Sequence, residues 1–442
     1  MVNEVLELLR CRSWDGEQPE SGGRIYIDGT LGTAGHTIAI LKANPHHRVI
    51  AFDRDAESMH WARQRLESEN LLERVALVQS DFRFAPLCLE KLQQAVQEAN
   101  KSHAATSDDL DRDQSTPDAS ATYLENSEVD SLVEEASIAE PRVLFVGTEF
   151  LKQSEVLSGN IAGALIDAGM SMFQVAWQER GLSFQNDAPL DMRYDRTRGV
   201  SAADLLNRLS QQELEDLFFK FTDERWARRI AAVIADHRRS QVINTTSELV
   251  SLIEAAIPFG VRRSLRVHPA TRVFAALRLA VNDEFWALEE GAWAFSSVLA
   301  NAARLTILTY SSNEDRTVKR TFSRLAARQE SSGSGYARQE AAALSTPPRA
   351  SSMRSPLTTF RKKNSHDGFS LALPTDNVEL KPPAFLDIYL KEFGKSWRMK
   401  VITNKPLEPS EDEVAANPLS RSCKLRAVEK IILEDTAALT AG

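Results

Sequence analysis

Three short apolar runs near the start of the chain constrain its fold more than any other feature. They are RIYID at 24–28, RVIAFD at 48–53 and RVALVQ at 74–79, and helical patterns separate them. Continuous apolar runs of this length are typical of strands buried on both faces of a sheet, and alternation with helices is typical of parallel βαβ units. The chain is therefore expected to be an α/β protein built on a parallel sheet.

The turn after the first run, DGTLGTAGHT at 28–37, carries three evenly spaced glycines, Gly29, Gly32 and Gly35. Such glycines let a backbone approach a ligand closely, and Asp53 follows Gly35 at about the spacing of a ribose-binding acid. A pyrophosphate would sit badly beside Asp28, whereas the cationic amino group and sulfonium of S-adenosylmethionine would suit it. The pattern favours that cofactor over a nicotinamide dinucleotide, and the alternative is a tight turn without a ligand.

Charge is segregated along the chain. The total is −9, but residues 108–140 alone carry −10, so the remainder sums to +1. Residues 316–363 hold eleven bases and two acids, a net charge of +9. A surface that binds phosphates depends on local rather than total charge, so nucleic acid is not excluded as a partner.

The rest of the chain alternates strand-like, helical and polar segments. Further apolar runs lie at 142–146, 163–167, 304–310 and 397–403, and two capping boxes, Ser210 with Glu213 and Thr245 with Glu248, mark helix starts between them. The predicted domains are a first part of the sheet domain at 1–98, an acidic low-complexity insert at 99–141, sheet domain at 142–170, a helical insertion at 171–265, sheet domain at 266–330, a basic flexible insert at 331–367, and a final strand with a basic tail element at 368–442.

Several classes of protein are not expected. The cysteines Cys11, Cys88 and Cys423 lie far apart, which argues for a reducing compartment and against a disulfide framework or cysteine zinc site. The histidines show no HExxH spacing, so no metal is expected. No apolar run is long enough for a transmembrane helix, and the first residues lack the features of a secretory signal.

Seven longer motifs resemble, in order, those of a known family, the S-adenosylmethionine-dependent methyltransferases that modify N4 of a cytidine in small-subunit ribosomal RNA, of the bacterial 16S type with organellar relatives. The motifs are DGTLGTAGHT at 28–37, AFDRDAES at 51–58, LIDAGMSMFQ at 165–174, RGLSFQNDAPLDMRYD at 180–195, HPATRVFAALRLAVNDEF at 268–285, SSNEDRTVKRTF at 311–322 and NPLSRSCKLRAVE at 417–429. The resemblance implies a Rossmann-like class I methyltransferase sheet with an inserted helical substrate-recognition domain.

The resemblance also implies the cofactor site. It implies that Ala34, Gly35 and His36 in the loop contact the cofactor, that Asp53 binds its ribose and that Phe82 lies beside its adenine. Asp167 and Gln174 complete the set. For Asp53 and Asp167 the alternative is an ordinary acid at a strand end. For Phe82 it is core packing, and for His36 a solvent-facing position at the helix start.

Asp167 is the candidate catalytic residue, because it ends a strand at the edge where such folds bind ligands. It would accept a hydrogen bond from the exocyclic amine of cytosine, or serve the cofactor alone. The target base must leave its stack to be modified. Candidates to hold RNA phosphates, with a solvated charged face as the alternative, are Arg180, Arg193, Arg196, Arg198, Arg421, Lys424 and Arg426.

The chain departs from the family motifs at Ala34, Ala168, Met172, Ser311 and Asn313. These departures motivate a second hypothesis, a ribosome-assembly factor that binds RNA without catalysis, and a third, a methyltransferase for a protein or small molecule. The expected partner is small-subunit ribosomal RNA or the assembling subunit, with no membrane and no metal, and monomer or homodimer stays open. The long polar inserts favour a mitochondrion or plastid, with the cytoplasm as the alternative.

Overall fold

The computed structural model describes residues 1–11, 23–94, 96, 142–147, 150, 160–170, 178–197, 199–327 and 397–433. These residues form two compact units. The sheet unit holds the described residues of Met1–Ala168 and those from Ala287 onward, and the helical unit holds those of Gly169–Trp286. The predicted inserts at 99–141 and 331–367 lie outside the described residues.

The sheet unit is built on one eight-stranded sheet with the order β4-β3-β2-β1-β5-β6-β8-β7. Neighbouring strands are parallel, except that β4 is antiparallel to β3 and β8 is antiparallel to both β6 and β7. The strands are β1 (Ile25–Asp28), β2 (Arg48–Asp53), β3 (Val75–Gln79), β4 (Arg142–Val146), β5 (Ile161–Asp167), β6 (Leu299–Thr309), β7 (Trp397–Val401) and β8 (Lys424–Ile432).

Strand order reverses beside β1. The chain runs outward from β1 to β2 and β3, and it returns to β5 on the other side of β1. At such a reversal the connections leave a crevice at the carboxyl ends of the strands, which is where open α/β sheets bind their ligands. The fold therefore places the glycine turn after β1 at the mouth of this crevice.

The apolar runs predict the strands well where both faces are covered. β1, β2 and β3 begin and end within one residue of the predicted runs, and β2 matches completely. All four side chains of β1 are buried. The basic tail element at 417–426 is the exception, since its end belongs to β8, an inner strand of the sheet.

Helices cover the sheet and form the other unit. Those of the sheet unit are Val2–Leu8, Gly35–Ala43, Ala56–Ser68, 85–94, Ser312–Ala327 and Glu411–Ala416, with 3₁₀ turns at Leu72–Arg74, Phe82–Phe84 and Pro418–Ser422. Those of the helical unit are Ala202–Arg208, Gln211–Thr222, Ala227–His237, Thr246–Ala256, Phe259–Ser264 and Ala270–Val281, with a 3₁₀ turn at Gln178–Arg180. The helix Glu284–Val298 begins in the helical unit and ends in the sheet unit.

Both capping boxes predicted from the sequence are present. The Ser210 side chain accepts a hydrogen bond from the backbone N–H of Glu213, whose carboxylate accepts one from the backbone of Ser210, and Thr245 and Glu248 repeat the arrangement. Each box satisfies backbone donors that the first helical turn cannot pair internally. The helices then bury one apolar face in a common core that includes Leu217, Phe218 and other apolar side chains.

The helical unit extends to Trp286, beyond the boundary predicted at 265. The cause is the helix Ala270–Val281, which buries Val273, Phe274 and Leu277 in the core of the helical unit. Residue types alone do not reveal which of two cores an apolar helix joins. Within the described residues, every helix is too short or too polar to cross a membrane.

Candidate active site

Three aspartates meet at the carboxyl edge of adjacent strands. Asp28 ends β1, Asp53 ends β2 and Asp167 ends β5, and β1 lies between the other two strands. The glycine turn and the helix Gly35–Ala43 follow Asp28 directly. The structure thus brings together the acids and the loop that the sequence singled out.

Asp28 is an internal anchor of the glycine turn. It is 1% exposed, and it accepts hydrogen bonds from the hydroxyl of Thr37 at 2.7 Å and the backbone N–H of Thr30 at 3.1 Å. Burial raises the pKa of this carboxyl, while the nearby His36 and the two hydrogen bonds act in the opposite direction. Because the side chain is almost fully buried and both oxygens accept hydrogen bonds from the turn, Asp28 holds the turn in shape.

Asp53 ties the turn to the end of β2. Its Oδ2 accepts a hydrogen bond from the backbone N–H of Gly32 at 2.9 Å, and its Oδ1 accepts one from the backbone N–H of Asp55 at 2.9 Å. Burial raises the pKa of Asp53 to about 6. A carboxylate offers about four acceptor positions, so two remain for ribose hydroxyls. The ribose contact stays a prediction.

The residues of the turn face different constraints. A Cβ on Gly29 would lie 2.8 Å from the ring of Phe295, so only glycine fits there. Ala34 has a φ of 63°, a left-handed conformation that costs an alanine about 1–2 kcal/mol. A Cβ on Gly35, in contrast, would meet no heavy atom of the other described residues within 4 Å. The turn is therefore closed towards the protein at Gly29 and open at Gly35.

Asp167 is the centre of a hydrogen-bonded cluster. Its side chain is 27% exposed, its Oδ1 accepts a hydrogen bond from the hydroxyl of Tyr310 at 2.8 Å, and its Oδ2 lies 3.3 Å from Nε2 of His36. Its backbone N–H donates to the hydroxyl of Thr30 at 2.7 Å. Partial burial and the charge of Asp167 raise the pKa of Tyr310, so the phenol remains a donor at neutral pH. The carboxylate is therefore held in one orientation and remains reachable from solvent.

His36 lies between the charges of Asp28 and Asp167. Burial lowers its pKa, but the hydrogen bond to Asp167 and the charges of both aspartates outweigh burial, so the pKa is raised above 6.5. The buried Nδ1 of His36 has no hydrogen-bond partner among the described residues. The raised pKa favours the protonated ring, and a protonated Nδ1 without a partner is a donor suited to an anionic group of a ligand.

Phe82, the predicted adenine contact, lies in the core of the sheet unit. Phe82 is 8% exposed and belongs to the core of the sheet unit, where its ring packs against Phe295 and over Gly291. A Cβ on Gly291 would come within 2.3 Å of that ring. This placement agrees with the core-packing alternative, and the adenine contact stays a prediction. Gln174 lies outside the described residues.

The arginines and the lysine predicted to hold RNA phosphates are divided between exposed and buried positions. Arg180 is 3% exposed and Arg426 is 6% exposed, and the guanidinium of Arg426 makes two hydrogen bonds to the carboxylate of Asp315. Their burial gives no support to the predicted contact with phosphates, which stays a prediction. For Arg426 the burial has a local cause, because a bidentate arginine–carboxylate pair can lie within a strand such as β8.

The remaining candidates are accessible to different extents. Arg193 and Arg196 both lie near the carboxylate of Asp191, and the side chain of Arg196 is 49% exposed. Arg421 is exposed, and Lys424 is partly exposed, 4.0 Å from Asp315. Arg198 lies outside the described residues. For the exposed side chains, contact with RNA phosphates stays a prediction.

Sequence reasoning missed Tyr310 and the threonines of the cluster. Tyr310 directly follows β6, so it reaches the same carboxyl edge as the aspartates, and its position at the end of the apolar run was the available signal. Thr30 and Thr37 lie inside the glycine turn and the helix after it, where nothing in the residue types indicates which partner a hydroxyl finds. No group of three potential metal ligands occurs in the part of the chain that the structure describes.

Ser311, one of the departures from the family motifs, has a structural role. Its hydroxyl accepts a hydrogen bond from the backbone N–H of Glu314 at 3.2 Å, and the carboxylate of Glu314 accepts bonds from the backbone N–H groups of Tyr310 and Ser311, both at 2.8 Å. This is a capping box at the start of the helix Ser312–Ala327. Serine at this position therefore supports the loop that carries Tyr310.

The strand order, the glycine turn after β1 and the acids at the ends of β2 and β5 define a Rossmann-like class I methyltransferase. Within that class, the family model described as the MraW methylase family matches residues 1–343 and 375–431. The chain belongs to this family, which confirms the resemblance seen in the motifs.

Relatives of the chain share one name. It is 34% identical over 432 residues to the ribosomal RNA small subunit methyltransferase H of Geobacter sp. (strain M21), covering 98% of this chain and 97% of that protein. The proteins of the same name from Geotalea daltonii and Finegoldia magna are 33% and 28% identical, over 93% and 98% of this chain. The similarity spans almost the full length of each relative, so both units and the site are included.

Proposed function

We propose that the protein transfers a methyl group from S-adenosylmethionine to N4 of a cytidine in small-subunit ribosomal RNA. The observation that carries the proposal is Asp167, an accessible carboxylate at the carboxyl end of β5 that Tyr310 and His36 hold in place. The names of the relatives support the substrate class.

The residues around the glycine turn fit the proposed cofactor. S-adenosylmethionine, when bound, supplies an electrophilic methyl group on a sulfonium. The unsatisfied Nδ1 of His36 suits its carboxylate, Asp53 suits its ribose hydroxyls, and the open side of Gly35 leaves room for close approach. The partly exposed carboxylate of Asp167 suits the cationic amino group and sulfonium of this ligand.

Asp167 has the properties that the reaction needs. The lone pair of the cytosine amine is delocalised into the ring, so an acceptor for its N–H helps the nitrogen to rehybridise. Two acceptor positions of the Asp167 carboxylate remain after Tyr310 and His36 are bonded. Because these two donors fix the carboxylate in advance, the gain comes from positioning and from placed charge.

The ribosomal RNA must present the cytosine outside its stack. The exposed Arg196 and Arg421 and the partly exposed Lys424 are proposed to contact phosphates.

The protein is proposed to act as a monomer or as a homodimer, and size-exclusion chromatography with light scattering distinguishes the two states. The proposed compartment is a mitochondrion or plastid, which imaging of the tagged protein in its own cells tests.

The alternative of a non-catalytic assembly factor rests on the departures at Ala168, Met172 and Ser311. Ser311 has a structural role in the capping box, so a serine at this position has an explanation that does not require loss of catalysis. Met172 lies outside the described residues. No described contact favours the alternative, and the same assay tests both hypotheses.

The test is tritium transfer from labelled S-adenosylmethionine to purified small subunits that lack the modification. Asp167→Asn keeps the size of the side chain and removes the charge, so the rate should fall by about 10²-fold or more. Asp236→Asn is the matched control, since Asp236 is 81% exposed in the helical unit and pairs only at the surface. Methylation by the wild type that survives Asp167→Asn would contradict the proposed role. No transfer by the wild type would favour the assembly factor.

A further inference from the structure

Residues 258–268 of the helical unit form a surface that none of the assigned roles uses. Phe259 is 66% exposed, more than any other large apolar side chain in the described part of the chain. Val267 and Leu265, a few residues further on, are 57% and 40% exposed. A single exposed apolar side chain is ordinary, but three within nine residues indicate a contact surface. We call this segment the Phe259 surface.

The Phe259 surface is strongly basic. The Cζ atoms of Arg262 and Arg263 lie 5.6 Å and 5.7 Å from the centre of the Phe259 ring, and Arg266 follows in an exposed position. Arg262 pairs with Glu254 at 3.0 Å. Neither Arg263 nor Arg266 has an ion-pair partner among the residues that the structure describes. The guanidinium of Arg263, without an ion-pair partner among the described residues, thus lies over the exposed ring, and the exposed Arg266 follows three residues later.

We propose that the Phe259 surface binds an unpaired stretch of RNA, with one base stacked on Phe259 and phosphates held by Arg263 and Arg266. The inference rests on the proposed function, since it adds a subsite for the same substrate. Aromatic rings interleaved with basic side chains are the usual means of holding single strands, because every base has a face to stack and every nucleotide has a charge. The two guanidinium groups carry charge complementary to that backbone.

The helical unit contains a matched control for the ring. Phe219, on the helix Gln211–Thr222, is 56% exposed, and within the described residues no arginine lies over it. If exposed phenylalanines bind RNA without specificity, Phe219 and Phe259 should behave alike. If the basic surroundings matter, only replacement of Phe259 should weaken RNA binding.

The experiment measures fluorescence anisotropy of a fluorescein-labelled single-stranded RNA of about 12 nucleotides and of its duplex. Phe259→Ala should weaken single-strand binding about fivefold to a hundredfold, because that is the usual effect of removing one stacking side chain. Phe259→Trp should retain affinity, and Phe219→Ala should change it less than about twofold. Duplex binding should change less than single-strand binding, since paired bases are not free to stack.

Salt dependence separates stacking from charge. Phe259→Ala should leave the slope of log affinity against log salt unchanged, whereas Arg263→Gln should reduce it by about 0.7, the value for one phosphate contact on a single strand. Equal affinities of Phe259→Ala and wild type for single-stranded RNA would overturn the inference. So would weaker binding to intact small subunits together with unchanged binding to protein-free ribosomal RNA, since that result identifies a ribosomal protein as the partner.

Failure of this inference and failure of the proposed function are distinguishable. Tritium transfer by the wild type, together with unchanged RNA binding by Phe259→Ala, would overturn the subsite alone. Lack of transfer by the wild type, together with a specific loss of single-strand binding in Phe259→Ala, would overturn the proposed reaction and support the subsite.

Discussion

Gly35 offers a test of the cofactor site that does not depend on charge. It begins the helix Gly35–Ala43, and in the part of the chain that the structure describes a Cβ there would meet no heavy atom of another segment within 4 Å. Gly35→Ala should leave the fold intact or stabilise it by up to about 1 kcal/mol, because alanine is the better helix former. The added methyl group should reduce affinity for S-adenosylmethionine, measured by calorimetry, at least tenfold.

Gly29→Ala is the comparison that separates direct from indirect effects. Its Cβ would lie 2.8 Å from the ring of Phe295, so this variant should lose thermal stability as well as cofactor binding. An unchanged affinity of Gly35→Ala in a folded protein would mean that the cofactor does not pass this side of the turn.

The raised pKa of His36 predicts how the affinity for S-adenosylmethionine depends on pH. Its pKa in the folded protein is raised above 6.5, so the cation is fully present at pH below 6.5 and is lost as the pH rises through the raised value. His36→Gln should reduce affinity about tenfold to a hundredfold at pH below 6.5, since a charge-assisted hydrogen bond is lost. The difference between wild type and His36→Gln in calorimetry should shrink as the pH rises, and a constant difference would contradict the charged role.

At the scale of elements, the capping box of Ser311 should stabilise the helix that begins beside the site. Ser311→Ala removes the acceptor for the backbone N–H of Glu314 and should lower the free energy of unfolding by about 1 kcal/mol. Ser323→Ala, at an exposed position in the middle of the same helix, should change it by less than about 0.5 kcal/mol. Urea denaturation measures both, and equal effects would show that the cap contributes nothing.

How well each element could be predicted depends on what surrounds it. Both faces of β2 are covered, so its residues form an uninterrupted apolar run, and its bounds follow from the sequence. β8 contains Lys424, Arg426 and Lys430, and the charges of the last two are satisfied by Asp315 and by backbone carbonyls. Those partners are distant in sequence, so a buried inner strand has the residue pattern of a basic tail.

The candidate site likewise contains residues that the sequence reveals and residues that only the fold reveals. The strand-end aspartates and the glycines are visible in the sequence, because spacing along the chain alone places them at one edge of the sheet. The contact of Tyr310 with Asp167 joins residues 143 positions apart, so only the pairing of β5 with β6 brings them together. For the same reason, residue type alone could not separate the buried Arg426 from the exposed Arg421.

At the scale of the whole molecule, the acidic insert is predicted to be dispensable for the fold. Residues 108–140 have few large apolar side chains and a net charge of −10. Their deletion should leave the melting temperature and the affinity for S-adenosylmethionine unchanged. RNA affinity should be equal or higher, because a repulsive segment is gone. A large drop in melting temperature would show that the segment contributes to a core.

The position of β8 has a consequence for how the protein is made. β8 lies between β6 and β7 in the sheet, although it is the last of the three to be synthesised. Until it emerges, β6 and β7 each present an open edge that can pair with another chain. We therefore expect a chain that is truncated before Lys424 to aggregate more readily than the full chain, because β8 is the strand that closes the gap between β6 and β7.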